Sequence, residues 1–109
     1  AVIILLGWTF VLTAHPASAV RLQYDGETHL LKVEFDHQVK DPTSHFIYEI
    51  DIMLNKKAVI HQELLSQDDE KTGYLIYRIV DVKPGDVIKV TTNCNKTGKK
   101  SAELIIPAD

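Results

Sequence analysis

Hydrophobic and polar positions follow two different rules along this chain. From Ala1 to Ala14 the sequence reads AVIILLGWTFVLTA, a nearly unbroken apolar run. After Val20 it breaks into short alternating stretches. Leu31, Val33 and Phe35 share one face of Leu30–Phe35, with Lys32 and Glu34 on the other. Phe46, Tyr48, Ile50, Ile52 and Leu54 are expected to point one way and Glu49 and Asp51 the other. Alternation with a period of two marks a strand with one face on a core and one toward water. The same reading gives strands at Ala58–Leu64, Tyr74–Val80, Val87–Cys94 and Ala102–Ile106, and a short edge at Arg21–Tyr24. Asn55-Lys56-Lys57 and Pro84-Gly85-Asp86 punctuate them as turns, and Ser66–Gly73 and Asn95–Lys100 read as loops. Seven strands with turn signals about every 8–12 residues predict an all-β fold, a seven-stranded immunoglobulin-like antiparallel β-sandwich. No helix-length apolar period is present.

The first stretch has another purpose. The run to Ala14, the helix-breaking Pro16 and the small-x-small triplet Ala17-Ser18-Ala19 match the apolar region and cleavage site of a secretory signal peptide, incomplete at its start. Residues 1–19 are therefore expected to be an address and residues 20–109 the domain, exported to a periplasmic or extracellular location. The alternative is a retained anchor, but a spanning helix needs about 20 apolar residues and this run is shorter.

Composition narrows the classes. A domain of about 90 residues is single and too short for layered βαβ architecture. Of the charged residues, 12 are Lys or Arg and 15 Asp or Glu, for a net charge of −3, and all lie after position 20. That balance excludes the basic footprint of nucleic-acid binding. Exported domains of this size often rely on disulfides, yet this chain has 1 cysteine, Cys94, and no internal bridge can form.

The chemistry-bearing residues are histidines and that cysteine. His37 precedes the loop Gln38–Ser44 and His45 follows it, while Cys94 ends a strand beside Asn95–Lys100. Strand ends of a sandwich gather at two poles, so these three could meet at one. Imidazole and thiolate together suit Zn, Cu or Fe. Against this, a lone cysteine is often a small buried hydrophobe, and no established Cys/His spacing is present. His29, beside the Gly26-Glu27 turn, is a further candidate, whereas His61, mid-strand, is expected to be exposed or paired across strands. Lys96, Lys99 and Lys100 form a basic patch beside Cys94 that would steer anions if a metal lay there. Asp68-Asp69-Glu70 lacks the ligand spacing of a calcium loop.

Two segments, His37-Gln38-Val39-Lys40-Asp41-Pro42-Thr43-Ser44-His45-Phe46-Ile47 and Cys94-Asn95-Lys96-Thr97-Gly98, together resemble the iron-site motifs of the desulfoferrodoxin, or superoxide reductase, family. The likeness runs roughly from Leu30 to Ile106. It implies a mononuclear iron held by equatorial imidazoles and an axial thiolate, which reduces superoxide to hydrogen peroxide with electrons from a donor the sequence does not name. On the matching positions His29, His37, His45 and Cys94 would be the metal ligands. The pattern departs at Thr97, which stands where the family has a ligand histidine, and at Gln38, where it has proline. The residues Pro42 to Ile47, with Asn55-Lys56-Lys57, Gly85-Asp86 and Asn95 to Gly98, are also similar to the small subunit of the sulfur-oxidation SoxYZ carrier, a metal-free sandwich that binds a partner. Two functions are thus expected in competition: an exported iron-binding, superoxide reductase-like oxidoreductase, and a metal-free binding or carrier-partner module that kept the fold. The edge at Arg21–Tyr24 adds the expectation of homodimer formation through a sheet.

Overall fold

The computed structural model describes residues 15–108. The apolar run Ala1–Ala14, read above as the body of a signal peptide, lies outside the described residues. Seven antiparallel strands follow: β1 (Ala19–Asp25), β2 (Leu30–Asp36), β3 (Ile47–Leu54), β4 (Lys57–Glu63), β5 (Thr72–Arg78), β6 (Val87–Cys94) and β7 (Lys99–Ile105). They form a three-stranded sheet ordered β1-β2-β5 and a four-stranded sheet ordered β4-β3-β6-β7. This is the expected β-sandwich, and every pairing is antiparallel.

The core lies between the sheets and comes from the alternation. Leu31, Val33 and Phe35 of β2 face Ile47, Ile50 and Ile52 of β3 and Ile88, Val90 and Cys94 of β6, all buried. Gly73 of β5 lies directly under the Phe35 ring, where any Cβ would collide. That contact explains why β5 begins at Thr72, inside the segment expected to be loop: with no side chain, Gly73 lets the strand run on beneath the ring.

The long strand β3 corrects one detail of the pattern. Ile47 is fully buried, although simple alternation places Phe46 and Tyr48 inward. The ladder between β3 and β6 shifts register between Ile47 and Glu49. One extra residue in a strand reverses which face its neighbours present, so Ile47 and Ile50 both reach the core.

Turn chemistry sets the hairpins. Asn55 and Lys56 join β3 to β4 with φ of 50° and 70°, the two left-handed residues of a type I′ turn, whose twist matches the strands. Asn55 also ties this turn to the next loop, donating from Nδ2 to Asp86 (3.0 Å) and accepting from Val87 N–H (2.9 Å).

The fold also takes in residues ahead of Val20. Ala17 is 3% exposed and belongs to the core. Ser18 N–H donates to the Asp36 carbonyl (2.8 Å), and Ala19 pairs with Asp36 in the β1–β2 ladder. Pro16 packs on Gly98, whose φ of 97° and bare Cα fit it there. The folded unit thus includes the triplet Ala17-Ser18-Ala19.

Candidate metal centre

Three loops meet at the pole where β2 ends and β3 begins. His37 follows the last residue of β2 and is fully buried. The chain past it stays paired, because His37 N–H donates to Lys71 O (2.8 Å) and Val39 N–H to Glu70 O (2.9 Å). His45 closes the turn begun by Asp41, whose carbonyl accepts the His45 N–H (2.9 Å). Asn95 grips the residues on either side of His45. Its Oδ1 accepts from Phe46 N–H (2.9 Å), and its Nδ2 donates to Ser44 O (3.0 Å). His15 arrives on the segment leading into β1.

The three imidazoles form a compact cluster. Ring centroids are 4.9 Å apart for His15–His37 and His37–His45 and 5.5 Å for His15–His45, all edge to face. One nitrogen from each ring lies within 4.8 Å of the other two. A metal holds imidazole nitrogens at about 2.0–2.1 Å, which places the ligands about 3.3 Å from one another, so the nitrogens would draw together to share one ion.

Hydrogen bonding shows what the cluster prefers. Gln67 is buried, and its Nε2 donates to the carbonyls of His37 (2.7 Å) and Asp69 (2.9 Å), which orients its amide. Gln67 Oε1 therefore accepts from His37 Nδ1 (2.8 Å). That leaves His37 Nε2, 3.0 Å from the His15 carbonyl oxygen. A ring with one proton on Nδ1 carries a lone pair at Nε2, and two lone pairs then face each other. His15 has the same arrangement, with Nδ1 against Pro16 O and Nε2 against Gln38 O, both at 2.9 Å. His45 Nε2 is buried with no hydrogen-bond partner among the described residues. A second proton on a ring, or a metal ion shared among the rings, resolves these contacts. Burial, the neighbouring His37 and His15 and then the Lys96 charge hold His45 below the usual imidazole value, which favours its neutral form near pH 7.

The expected ligand set is only partly assembled. His37 and His45 come together as the spacing suggested. His29 does not join them: it sits at the opposite end of β2, roughly 20 Å or more away at strand rise, in the β1–β2 turn. There it adopts φ of 63° and its carbonyl accepts Ile79 N–H (2.8 Å). Cys94 packs in the core, its Sγ accepting from Lys96 N–H at 3.4 Å, and it is not among the atoms that converge. Inward alternation along β6 explains this, because Ile88, Val90, Thr92 and Cys94 all face the core. Lys96 lies close enough to His45 to influence it. Lys99 instead lines a shallow groove on the outer face of the four-stranded sheet with Asp51, His61 and Thr91, and Lys100, next to it on β7, pairs across the ladder with Thr92 of β6.

Two residues of the cluster were not legible as such. His15 falls within the stretch read as signal peptide, and Gln67 within a loop read as polar. The one available hint is that His15-Pro16 directly follows the apolar run.

A second group, Glu49, Asp51 and His61, also gathers potential ligand atoms. It lies on the outer face, where Asp51 and His61 are cross-strand partners, as expected for His61. Asp51 Oδ1 accepts from His61 Nδ1 at 2.6 Å, and Glu63 lies 3.3 Å from Nε2. Hydrogen bonds to Asp51 and then Glu63 hold the imidazole above its usual value. This is an exposed ion-pair network with its ring nitrogens already engaged.

The fold and cluster together define a small β-sandwich with a three-histidine pole. The chain matches no protein-family model, and no curated protein matches it.

Proposed function

We propose that this protein is a metal-binding β-sandwich module that holds one first-row transition-metal ion through His15, His37 and His45. The observation that carries the reading is the buried Nε2 of His45, without a partner among the described residues, on a ring clustered with two other imidazoles. Burying a polar atom without a partner costs about 1–3 kcal/mol, and a metal bond removes that cost. Three imidazoles suit Zn, Cu, Fe or Ni. Gln67 acts as the outer partner that fixes the ring of His37, as such partners commonly do for metal-bound histidine. Water or a small anion would complete the coordination.

The test is metal content and titration of protein purified without oxygen. One equivalent of metal is expected, with affinity falling on His37→Ala and on His45→Ala. Unchanged binding in both variants overturns the reading.

A second reading follows from Lys96, the cation beside His45. It is that ferrous iron at this cluster transfers one electron to superoxide, which takes up two protons to give hydrogen peroxide and leaves ferric iron. Ferrous-loaded protein should then consume superoxide, and Lys96→Ala should slow it. No consumption leaves the binding role alone.

A further inference from the structure

His15 stands immediately after the apolar run and is the first of the described residues. Ala17 fills the core, Pro16 packs on Gly98 and Ala19 opens β1. Removal of a leader after Ala19 would strip all of these from the domain and take His15 from the cluster. Removal after Ala14 costs the fold none of them. Ala14 closes the apolar run with a small residue at the last position, one of the two small positions of a leader-peptidase site, while Leu12 holds the other.

We propose that the leader is removed between Ala14 and His15, and that the new α-amino group and the imidazole of His15 chelate one copper(II) ion together with His45. This rests on the three-histidine reading and deepens it. Hydrolysis by an export peptidase consumes one water, leaving a carboxylate on Ala14 and an ammonium on His15. The ammonium gives up one proton when its nitrogen binds metal. An amino-terminal histidine places its α-nitrogen and Nδ1 in one six-membered ring with the ion, so both donors bind for the ordering of a single residue. The interior peptide nitrogen of an unprocessed chain offers no such lone pair. Amine and imidazole nitrogens favour copper(II), which heads the affinity order of the divalent first-row metals. His45 supplies a further nitrogen, its Nε2 being buried with no partner among the described residues, and His37, its ring fixed by Gln67, supplies the remaining imidazole of the cluster. Asn95 holds the His45 turn from both sides, so the donor that must meet the amino terminus is rigidly placed.

The experiment uses the full chain, exported from bacteria behind a start Met and a basic leading segment. Intact mass of the exported protein is expected to correspond to residues 15–109. A mass for residues 20–109, or for the unprocessed chain, overturns the proposed processing. The recovered protein is then titrated with copper(II) beside a version carrying a Gly-Ser extension ahead of His15. The extension is expected to weaken copper binding by roughly tenfold or more and to change the copper electron-paramagnetic spectrum. Equal affinity and identical spectra overturn the chelate while leaving the three-histidine site standing. If His37→Ala and His45→Ala also bind copper like the parent, the underlying reading fails instead.

Discussion

Gln67 holds His37 at both ends: its carbonyl oxygen accepts from the ring Nδ1 at 2.8 Å, and its amide nitrogen donates to the His37 carbonyl at 2.7 Å. This clasp joins the end of β2 to the loop before β5, and it leaves the other ring nitrogen of His37 3.0 Å from the His15 carbonyl oxygen. Replacing Gln67 by Ala leaves the His37 carbonyl and Nδ1 without these partners among the described residues. A stability loss of about 1–3 kcal/mol is expected, read by urea denaturation. Metal affinity should fall about 10–100-fold, read by titration of the same variant.

Cys94 separates the thiolate expectation from the three-histidine reading. Its side chain packs with the core, so Cys94→Ser buries a hydroxyl where a sulfur lay. Stability should drop by about 1–3 kcal/mol, while metal content and affinity stay as in the parent. Loss of metal in a variant that remains folded would return the thiolate to the site.

Two histidines should give opposite responses to pH. His61 is held above its usual 6.5 by Asp51 and Glu63. Its stabilisation is therefore full below pH 6.5 and is lost as pH rises through the higher folded value. His45 is held below 6.5 by burial, so the unfolded chain takes its proton first. Stability from that group is present above pH 6.5 and is lost as pH falls toward the folded value. Metal-free His61→Ala should lose its stability gain below neutral pH and show a steeper acid decline than the parent. Denaturant midpoints between pH 5 and 8 decide this.

Tyr77 buries its hydroxyl without a partner among the described residues, and burial pushes its pKa up to about 12. The hydroxyl costs desolvation and recovers nothing in return. Tyr77→Phe is expected to be neutral or to stabilise by about 1 kcal/mol, measured as a rise in thermal midpoint. A loss of more than about 1 kcal/mol would mean that the hydroxyl makes a bond through water.

Lys56 sits at φ of 70° in the two-residue turn, a conformation that costs a side-chain-bearing residue about 1–2 kcal/mol. Glycine relieves that strain but loses part of the gain to the freer unfolded chain. Lys56→Gly should stabilise the hairpin by about 0.5 kcal/mol, and chemical denaturation is the direct measure.

The β-sandwich was determined by the sequence itself. Alternation at Leu31-Val33-Phe35 and along β3 and β6 leaves one apolar face per strand, and burying that face requires a second sheet. The turn at Asn55-Lys56 and the cross-strand place of His61 were legible for the same reason, since they depend on residues near in sequence or directly paired. The inward position of Ile47 was not, because the register shift near Tyr48 is set by how β3 meets β6. The site needed the tertiary structure most. His37 and His45 share a pole because β2 and β3 lie in opposite sheets joined across it, and His29 is excluded because β2 separates it from His37. Cys94 turns into the core by the parity of β6. His15 joins because Ala17 is drawn into the core and Pro16 onto Gly98, contacts that link the chain's first described residues to its last hairpin. A constellation of side chains is a property of distances between elements, and only the packing of the two sheets sets those.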